Sequence, residues 1–136
     1  MIVVAAALVA PDGRVLVQQR PYGKQAGGLW EFPGGKCEVG EAWADALVRE
    51  LDEELAITVR AADCVPVSFA ADRLDDGRDM VMALFLCRQW GGVMDVRAAR
   101  AAQWVEPANL AQLPMPPVDM ALIGALHRLI AAGDLG

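Results

Sequence analysis

The chain opens with an apolar run. Residues 2–10, IVVAAALVA, are continuous and partly β-branched, and Pro11-Asp12-Gly13 stops them. A run of this length bounded by turn residues reads as a strand buried on both faces. Residues 14–20, RVLVQQR, carry a second strand pattern, and the short turn between the two predicts a hairpin. Residues 21–28 hold Pro21 and three glycines with no apolar period, a loop expected to be mobile. Trp30, Glu31 and Phe32 lead into Pro33-Gly34-Gly35, where glycine lets the backbone approach a neighbour or a ligand closely. From residue 42 to 55 the period becomes helical. Trp43, Leu47, Leu51 and Leu55 recur every four positions, with Ala46 and Val48 beside them, which predicts an apolar stripe facing a core.

The second half alternates in the same way. Residues 57–69 are mostly apolar and β-branched but contain Pro66, so one or two strands with an edge or bulge at Pro66 are expected. Residues 72–79, DRLDDGRD, read as a polar turn, and residues 80–87, MVMALFLC, as a buried strand closed by Gly91-Gly92. Residues 93–102 fit a loop or a short helix, and Gln103-Trp104-Val105 a short strand. Pro107 opens a short helix to residue 113, and Pro114, Pro116 and Pro117 make a stiff connector. Val118, Leu122, Ala125, Leu126 and Leu129 predict a last amphipathic helix over 118–130, ended by Gly133. Strands alternating with two good helices, without repeat or linker, point to one domain over residues 1–136, an α/β or α+β sandwich with a mixed sheet.

Composition narrows the function. The chain is 55% apolar and 22% charged, so its 136 residues can bury a core and disorder is not its character. Its net charge is −6 and no basic tract is present, which argues against long nucleic acid as a partner but not against a nucleotide bridged by a metal. The apolar run at the start is too short to span a membrane and lacks a basic flank, so a cytoplasmic protein is expected. Cys37, Cys64 and Cys87 show no C-x-x-C spacing and read as free thiols.

The polar side of the helix over 42–55 needs a separate explanation. Four acids, Glu50, Asp52, Glu53 and Glu54, fall in five positions. Like charges at i,i+3 and i,i+4 each cost roughly 0.2–0.5 kcal/mol. Glu50 facing Glu53 and Glu54 therefore calls for a partner of opposite charge. Divalent cations such as Mg²⁺ take carboxylate oxygens of this kind. Taken by themselves, the same residues are more simply a solvated acidic face.

The spacing around them is Gly35, five residues, Glu41, seven residues, Arg49-Glu50-Leu51, one residue, Glu53-Glu54, one residue, Ala56-Ile57. This resembles the signature of the Nudix hydrolases, G-x5-E-x7-R-E-U-x-E-E-x-G-U with U a bulky aliphatic, and departs from it only at Ala56, where the family has Gly. Residues 30–36, WEFPGGK, are similar to the entry segment of the MutT-like branch. The resemblance runs from the first strand to the last helix. It implies a Nudix α/β/α sandwich with a mixed central β-sheet. It also implies an enzyme dependent on Mg²⁺ or Mn²⁺ that cuts a nucleoside triphosphate into monophosphate and pyrophosphate. Carried over residue by residue, it makes Glu53 and Glu54 metal ligands, gives Glu50 a ligand or base-related role and gives the Gly35 carbonyl a place on the metal. Arg49 would hold the carboxylates, so that Glu50, Glu53 and Arg49 form the catalytic group.

Outside the signature, the same resemblance places Arg20 against phosphate, Phe32 on the base pocket and Arg78 at a ligand-contacting position. Lys36 is a further phosphate contact. The plain alternatives are a strand-end arginine, a core phenylalanine and surface charges. Asp119 stands where the branch reads the base edge; its plain alternative is to cap the last helix. A second departure is Ala98, where the branch often has a metal-binding Glu. Asp95 and Glu106 are the nearby acids that would substitute. The substrate expected is an oxidised purine triphosphate such as 8-oxo-dGTP, or CTP, whose amino group suits the Asp119 carboxylate. Other readings are a nucleotide sugar or dinucleotide substrate, or a catalytically silent nucleotide-binding module. A monomer or homodimer is expected.

Overall fold

The computed structural model describes residues 1–132, so Gly133, the expected helix stop, lies outside the described residues. The strands are β1 (Ile2–Leu8), β2 (Val15–Gln19), β3 (Trp30–Glu31), β4 (Gly34–Lys36), β5 (Val65–Arg73), β6 (Asp79–Cys87) and β7 (Ala101–Val105). The helices are α1 (Trp43–Leu55) and α2 (Pro117–Ala131), with short 3-10 turns at Ala61–Asp63 and Pro107–Gln112. A four-stranded mixed sheet has the order β4-β1-β6-β5, with β1 parallel to β6 and the other pairs antiparallel. A three-stranded antiparallel sheet has the order β3-β2-β7.

The expected hairpin of β1 and β2 does not form. The turn is there, with the Ala10 N–H donating to Arg14 O at 2.9 Å and an isolated bridge between Val9 and Val15. Both edges of β1 are already taken by β4 and β6, so β2 has no edge to join and leaves for the second sheet.

Strand alternation builds the layers. Along β1, Val4, Ala6 and Leu8 face α1, whose Ala46, Leu47, Leu51 and Leu55 complete one core. Ala5 and Ala7 face the other way, towards Val118, Leu122, Ile123 and Leu126 of α2. In β6, Ala83, Phe85 and Cys87 join the first core, and Met82, Leu84 and Leu86 the second. This is the α/β/α sandwich expected, with a helix on each side of the strands. An apolar run buried on both faces is what such a central strand requires.

Several local expectations change. Trp43 is 43% exposed instead of buried. Residues spaced by four advance about 40° beyond a full turn at each step, so three steps carry Trp43 about 120° from Leu55 and off the buried face. Pro66 does sit at a bulge, with the register shifting between Pro66 and Ser68 on an edge strand where a missing N–H is tolerated. β5 and β6 reach further than expected, leaving only a tight turn in which the Leu74 N–H donates to Arg78 O at 2.8 Å. Residues 93–100 are a loop, not a helix. It is pinned to the end of α1 by the Asp95 N–H on Leu55 O at 2.9 Å and the Arg97 N–H on Glu54 O at 3.0 Å. The three cysteines are free, and no helix among the described residues is long and apolar enough to cross a membrane.

Candidate active site

The acidic face of α1 is organised by one guanidinium. Arg49 meets Glu41 through two parallel bonds, Nε to Oε2 and Nη2 to Oε1, both at 2.9 Å. Its Nη1 donates to Glu50 Oε1 at 2.9 Å and to Glu53 Oε2 at 3.4 Å, and Nη2 also reaches the Lys36 carbonyl at 3.0 Å. A planar fork with five N–H donors can serve four oxygen-bearing neighbours at once; a lysine cannot. The guanidinium holds the Glu41 carboxyl down to about 2, with the Glu38 N–H adding to the effect. Arg49 thus neutralises part of the repulsion on α1. Gly35 is adjacent, and a Cβ there would collide with the Glu50 carboxylate. At Gly34 a Cβ would overlap β1, lying 2.7 Å from the Ala5 Cα. The two glycines are therefore the condition for β4 lying between β1 and α1.

Glu54 looks into the protein from the end of α1. Its Oε2 accepts from Gln18 Nε2 at 2.9 Å and from the Gly34 N–H at 3.3 Å. Burial pushes its carboxyl up to about 7 against the lowering effect of the Gln18 bond, and Glu50 nearby adds to the rise. Glu31, opposite Gln18 in the β2–β3 register, is similarly raised to about 7 by burial, although Arg20 beside it pulls the other way. Arg20 Nε lies 3.3 Å from Glu31 Oε1 and Nη1 donates to Gln25 O at 3.4 Å.

On the other side of the strands, Asp119 is fully buried. Its Oδ2 accepts the Phe32 N–H at 3.2 Å, and Phe32 is itself in the core. Oδ1 has no hydrogen-bond partner. Burial raises the carboxyl to about 6, moderated by the Phe32 N–H. The capping role open to Asp119 in sequence does not hold. α2 begins at Pro117 with Pro116 at its cap, so Asp119 is its third residue and its side chain reaches across to the strand segment instead.

The fold thus gathers Gly35, Arg49, Glu50, Glu53 and Glu54 along one face, with Lys36 contributing its carbonyl while its side chain is exposed. Arg20, Phe32 and Asp119 gather around Glu31, whose carboxyl feels both Arg20 and Asp119. Arg78 is separate: its Nε pairs with Asp76 at 2.7 Å in the β5–β6 turn, and among the described residues no hydrogen bond or ion pair links it to the others. Ala98 is exposed on the loop beside α1. Glu106 pairs with Arg14 at 3.5 Å beyond the Val15–Val105 end of the sheet, whereas Gln18 pairs with Ala102 towards the other end. It is thus at the wrong end of β7 to replace a missing ligand near Glu54. Asp95 lies 3.8 Å from Arg97, on the loop that borders Glu54.

Two members of the cluster, Gln18 and Glu31, are not among the site residues that the signature points to. Strand alternation held the signal for Gln18. It shares a face with Leu16, and Leu16 packs against α1, so a polar side chain two positions on had to find a polar partner there.

The donor set suits a hard cation. It consists of acceptor-only carboxylate oxygens beside a glycine whose missing Cβ leaves room at Glu50. Among the described residues, no three acids close around one point. The carboxylates thus suit a divalent cation but are not drawn together into a closed cage.

The chain is similar to known proteins along nearly its whole length. A family model described as the NUDIX domain matches residues 1–124. The chain is 36% identical over 132 residues to the CTP pyrophosphohydrolase of Escherichia coli K12, covering 97% of this chain and 96% of that one. It is 31% identical over 132 residues to the 8-oxo-dGTP diphosphatase of Haemophilus influenzae, covering 96% and 92%. Among solved structures, the E. coli ORF135 protein superposes with a TM-score of 0.82 at 32% identity, covering 96% of this chain and 92% of that one. A MutT NUDIX hydrolase from Burkholderia pseudomallei gives 0.79 at 25% identity, covering 92% and 96%.

Proposed function

This chain belongs to the Nudix family of hydrolases, which act on phosphoric anhydride bonds, and from that premise we propose that it hydrolyses a cytosine-type nucleoside triphosphate to the monophosphate and pyrophosphate. The observation that carries the choice of base is Asp119 Oδ1, a fully buried acceptor without a partner. Buried polar atoms are nearly always hydrogen-bonded, and an orphan of this kind is a cue for a ligand donor. The exocyclic amino group of cytosine is such a donor. A relative named CTP pyrophosphohydrolase, 36% identical along almost the whole chain, supports the same reading.

Glu50, Glu53 and Glu54, with the Gly35 carbonyl, are the groups from which Mg²⁺ or Mn²⁺ would draw its protein ligands, not all of them around one point. When bound, such an ion neutralises polyphosphate charge and acidifies a water. The chain's own work is positional. Arg49 keeps Glu50 and Glu53 on one side of α1, and its bond to the Lys36 carbonyl fixes β4 against the helix. Glu50 is the base-related group. Arg20 and Lys36 bring positive charge towards the phosphates, Arg20 by exchanging Glu31 for substrate, whereas Arg78 would have to leave its pair with Asp76 to touch a ligand. Phe32 presents its N–H to Asp119, and in this reading the base meets Asp119 and Phe32 on the α2 side of the strands.

A second reading is an oxidised purine triphosphate. It is favoured by the raised carboxyl of Asp119, since the protonated form donates a hydrogen bond to a carbonyl oxygen. Relatives named 8-oxo-dGTP diphosphatase fit that reading. A panel containing CTP, dCTP, 8-oxo-dGTP, the unmodified purine triphosphates, a nucleotide sugar and a dinucleotide, each with Mg²⁺ and with Mn²⁺, decides between them. Release of pyrophosphate, greatest with the cytosine nucleotides, is the result expected. Preference for 8-oxo-dGTP moves the assignment to the second reading. Absence of turnover on every member leaves a binding module.

A further inference from the structure

We propose that Gln18 is a positioning residue for the metal site, holding the Glu54 carboxylate by one oxygen so that the other is presented to the cation. This inference rests on the reading of Glu54 as a metal ligand. Gln18 and Asp119 are the two buried polar residues among those described. Gln18 lies in a strand that is otherwise apolar up to that point, Val15-Leu16-Val17, all buried. Its backbone is held on both sides, opposite Glu31 in β3 and opposite Ala102 in β7, so the side chain swings from a fixed point in the middle of a three-stranded sheet. Alternation turns it towards α1, and its Nε2 donates to Glu54 Oε2 at 2.9 Å across 36 positions of chain.

A second donor reaches the same oxygen, the Gly34 N–H at 3.3 Å. Among the described residues no hydrogen bond is made to Oε1. The asymmetry is what a single-oxygen ligand needs. One oxygen is tied down by donors from two different sheets, and the carboxylate plane is fixed, with the remaining oxygen free to ligate. Outer hydrogen bonds of this kind orient ligands, and their removal typically weakens metal binding or activity about 10–100-fold. A mere packing role would need only a side chain of similar size at this place.

The test uses Gln18→Met, which keeps length and flexibility and removes the donor, with Gln18→Leu as a second variant and Glu54→Gln as the control. Mn²⁺ affinity is read by electron paramagnetic resonance on the nucleotide-free protein, and kcat and KM are measured separately with the best nucleotide from the panel. Expected for either Gln18 variant is Mn²⁺ binding weakened about tenfold or more, with lower kcat and an unchanged KM. If Glu54→Gln weakens Mn²⁺ binding but both Gln18 variants bind and turn over like the parent, Gln18 is only packing and the proposal is overturned. If Glu54→Gln itself binds Mn²⁺ like the parent, Glu54 is no ligand, and both the proposal and the underlying site assignment fall.

Discussion

Phe32 gives its backbone N–H to Asp119 Oδ2 at 3.2 Å, joining the segment between β3 and β4 to the first turn of α2 across 87 positions of sequence. Asp119→Asn keeps an acceptor for that N–H but adds a donor amide beside it. We expect this variant to shift preference from cytosine nucleotides towards bases that present a carbonyl. Asp119→Ala should flatten base preference while a generic triphosphate is still cut. Relative kcat/KM over the nucleotide panel checks both. An unchanged ranking would return Asp119 to a purely structural role.

The same carboxyl sets a pH dependence of stability. Burial raises it from its ordinary 3.8 to about 6, so the unfolded chain gives up this proton more readily than the folded one. Its contribution is therefore fully present below about pH 4 and is lost as pH rises through about 6. Asp119→Asn has no such proton to lose. Its stability relative to the parent should grow between pH 4 and 6 and level off above that, by on the order of 1–3 kcal/mol. Urea denaturation of both proteins at pH 4, 5, 6 and 7.5 measures the difference, and a flat difference across that range would contradict the burial of the charge.

On α1, Glu53→Gln and Glu54→Gln should lower metal-dependent turnover by at least about a hundredfold, the scale on which single charge-stabilising groups act. Circular dichroism should show the fold intact. Glu53 is more than half exposed, so its loss costs little packing. Hydrolysis at the parent rate by these variants would remove the metal site from α1.

Arg49→Lys is not a conservative change at this position. Lysine retains the charge but not the fork that meets Glu41 by two parallel bonds while also reaching Glu50, Glu53 and the Lys36 carbonyl. We expect kcat to fall about tenfold or more with a smaller change in KM, because the carboxylates lose their common anchor. Glu41 should also titrate upward from about 2 towards the ordinary range, since the guanidinium is the main reason it is low. Side-chain carboxyl titration by NMR follows this directly.

Ala56 closes α1 in the left-handed conformation, at φ 58° and ψ 27°, with its N–H on Asp52 O at 3.0 Å. A Cβ is disfavoured there and glycine is not. Ala56→Gly is expected to stabilise the protein by up to about 1 kcal/mol with no change in kcat. The midpoint of urea unfolding is the measurement, and destabilisation would show that the site accommodates the Cβ without strain.

Local pattern carried much of this molecule. β1 and β6 were legible because an apolar run buried on both faces belongs in a central strand, and α1 because its stripe and its acids have fixed spacing. Legibility ended where a property depended on which distant edge was free. The turn after β1 looks like a hairpin turn, yet β4 and β6 occupy the edges of β1, and only their positions in the fold reveal that β2 must leave. The polar cluster was only half visible for a related reason. The spacing of Arg49 to Glu54 lies within one helix, whereas Gln18 meets Glu54 from another layer. Asp119 could be placed at the start of α2 from sequence, but Pro117 at the first helical position moves it inside the helix and away from the capping place.

Phe32 and Gly34 stand two residues apart, and each spends its N–H on a carboxylate from a different helix, Asp119 of α2 and Glu54 of α1. Two residues of chain span at most about 7 Å. The end of the site that would read the base and the end that would meet the phosphates are thus fixed to a common short gauge, with Pro33 stiffening its middle. A substrate is measured for length as well as for chemistry, and a change that moves one end must carry the other with it.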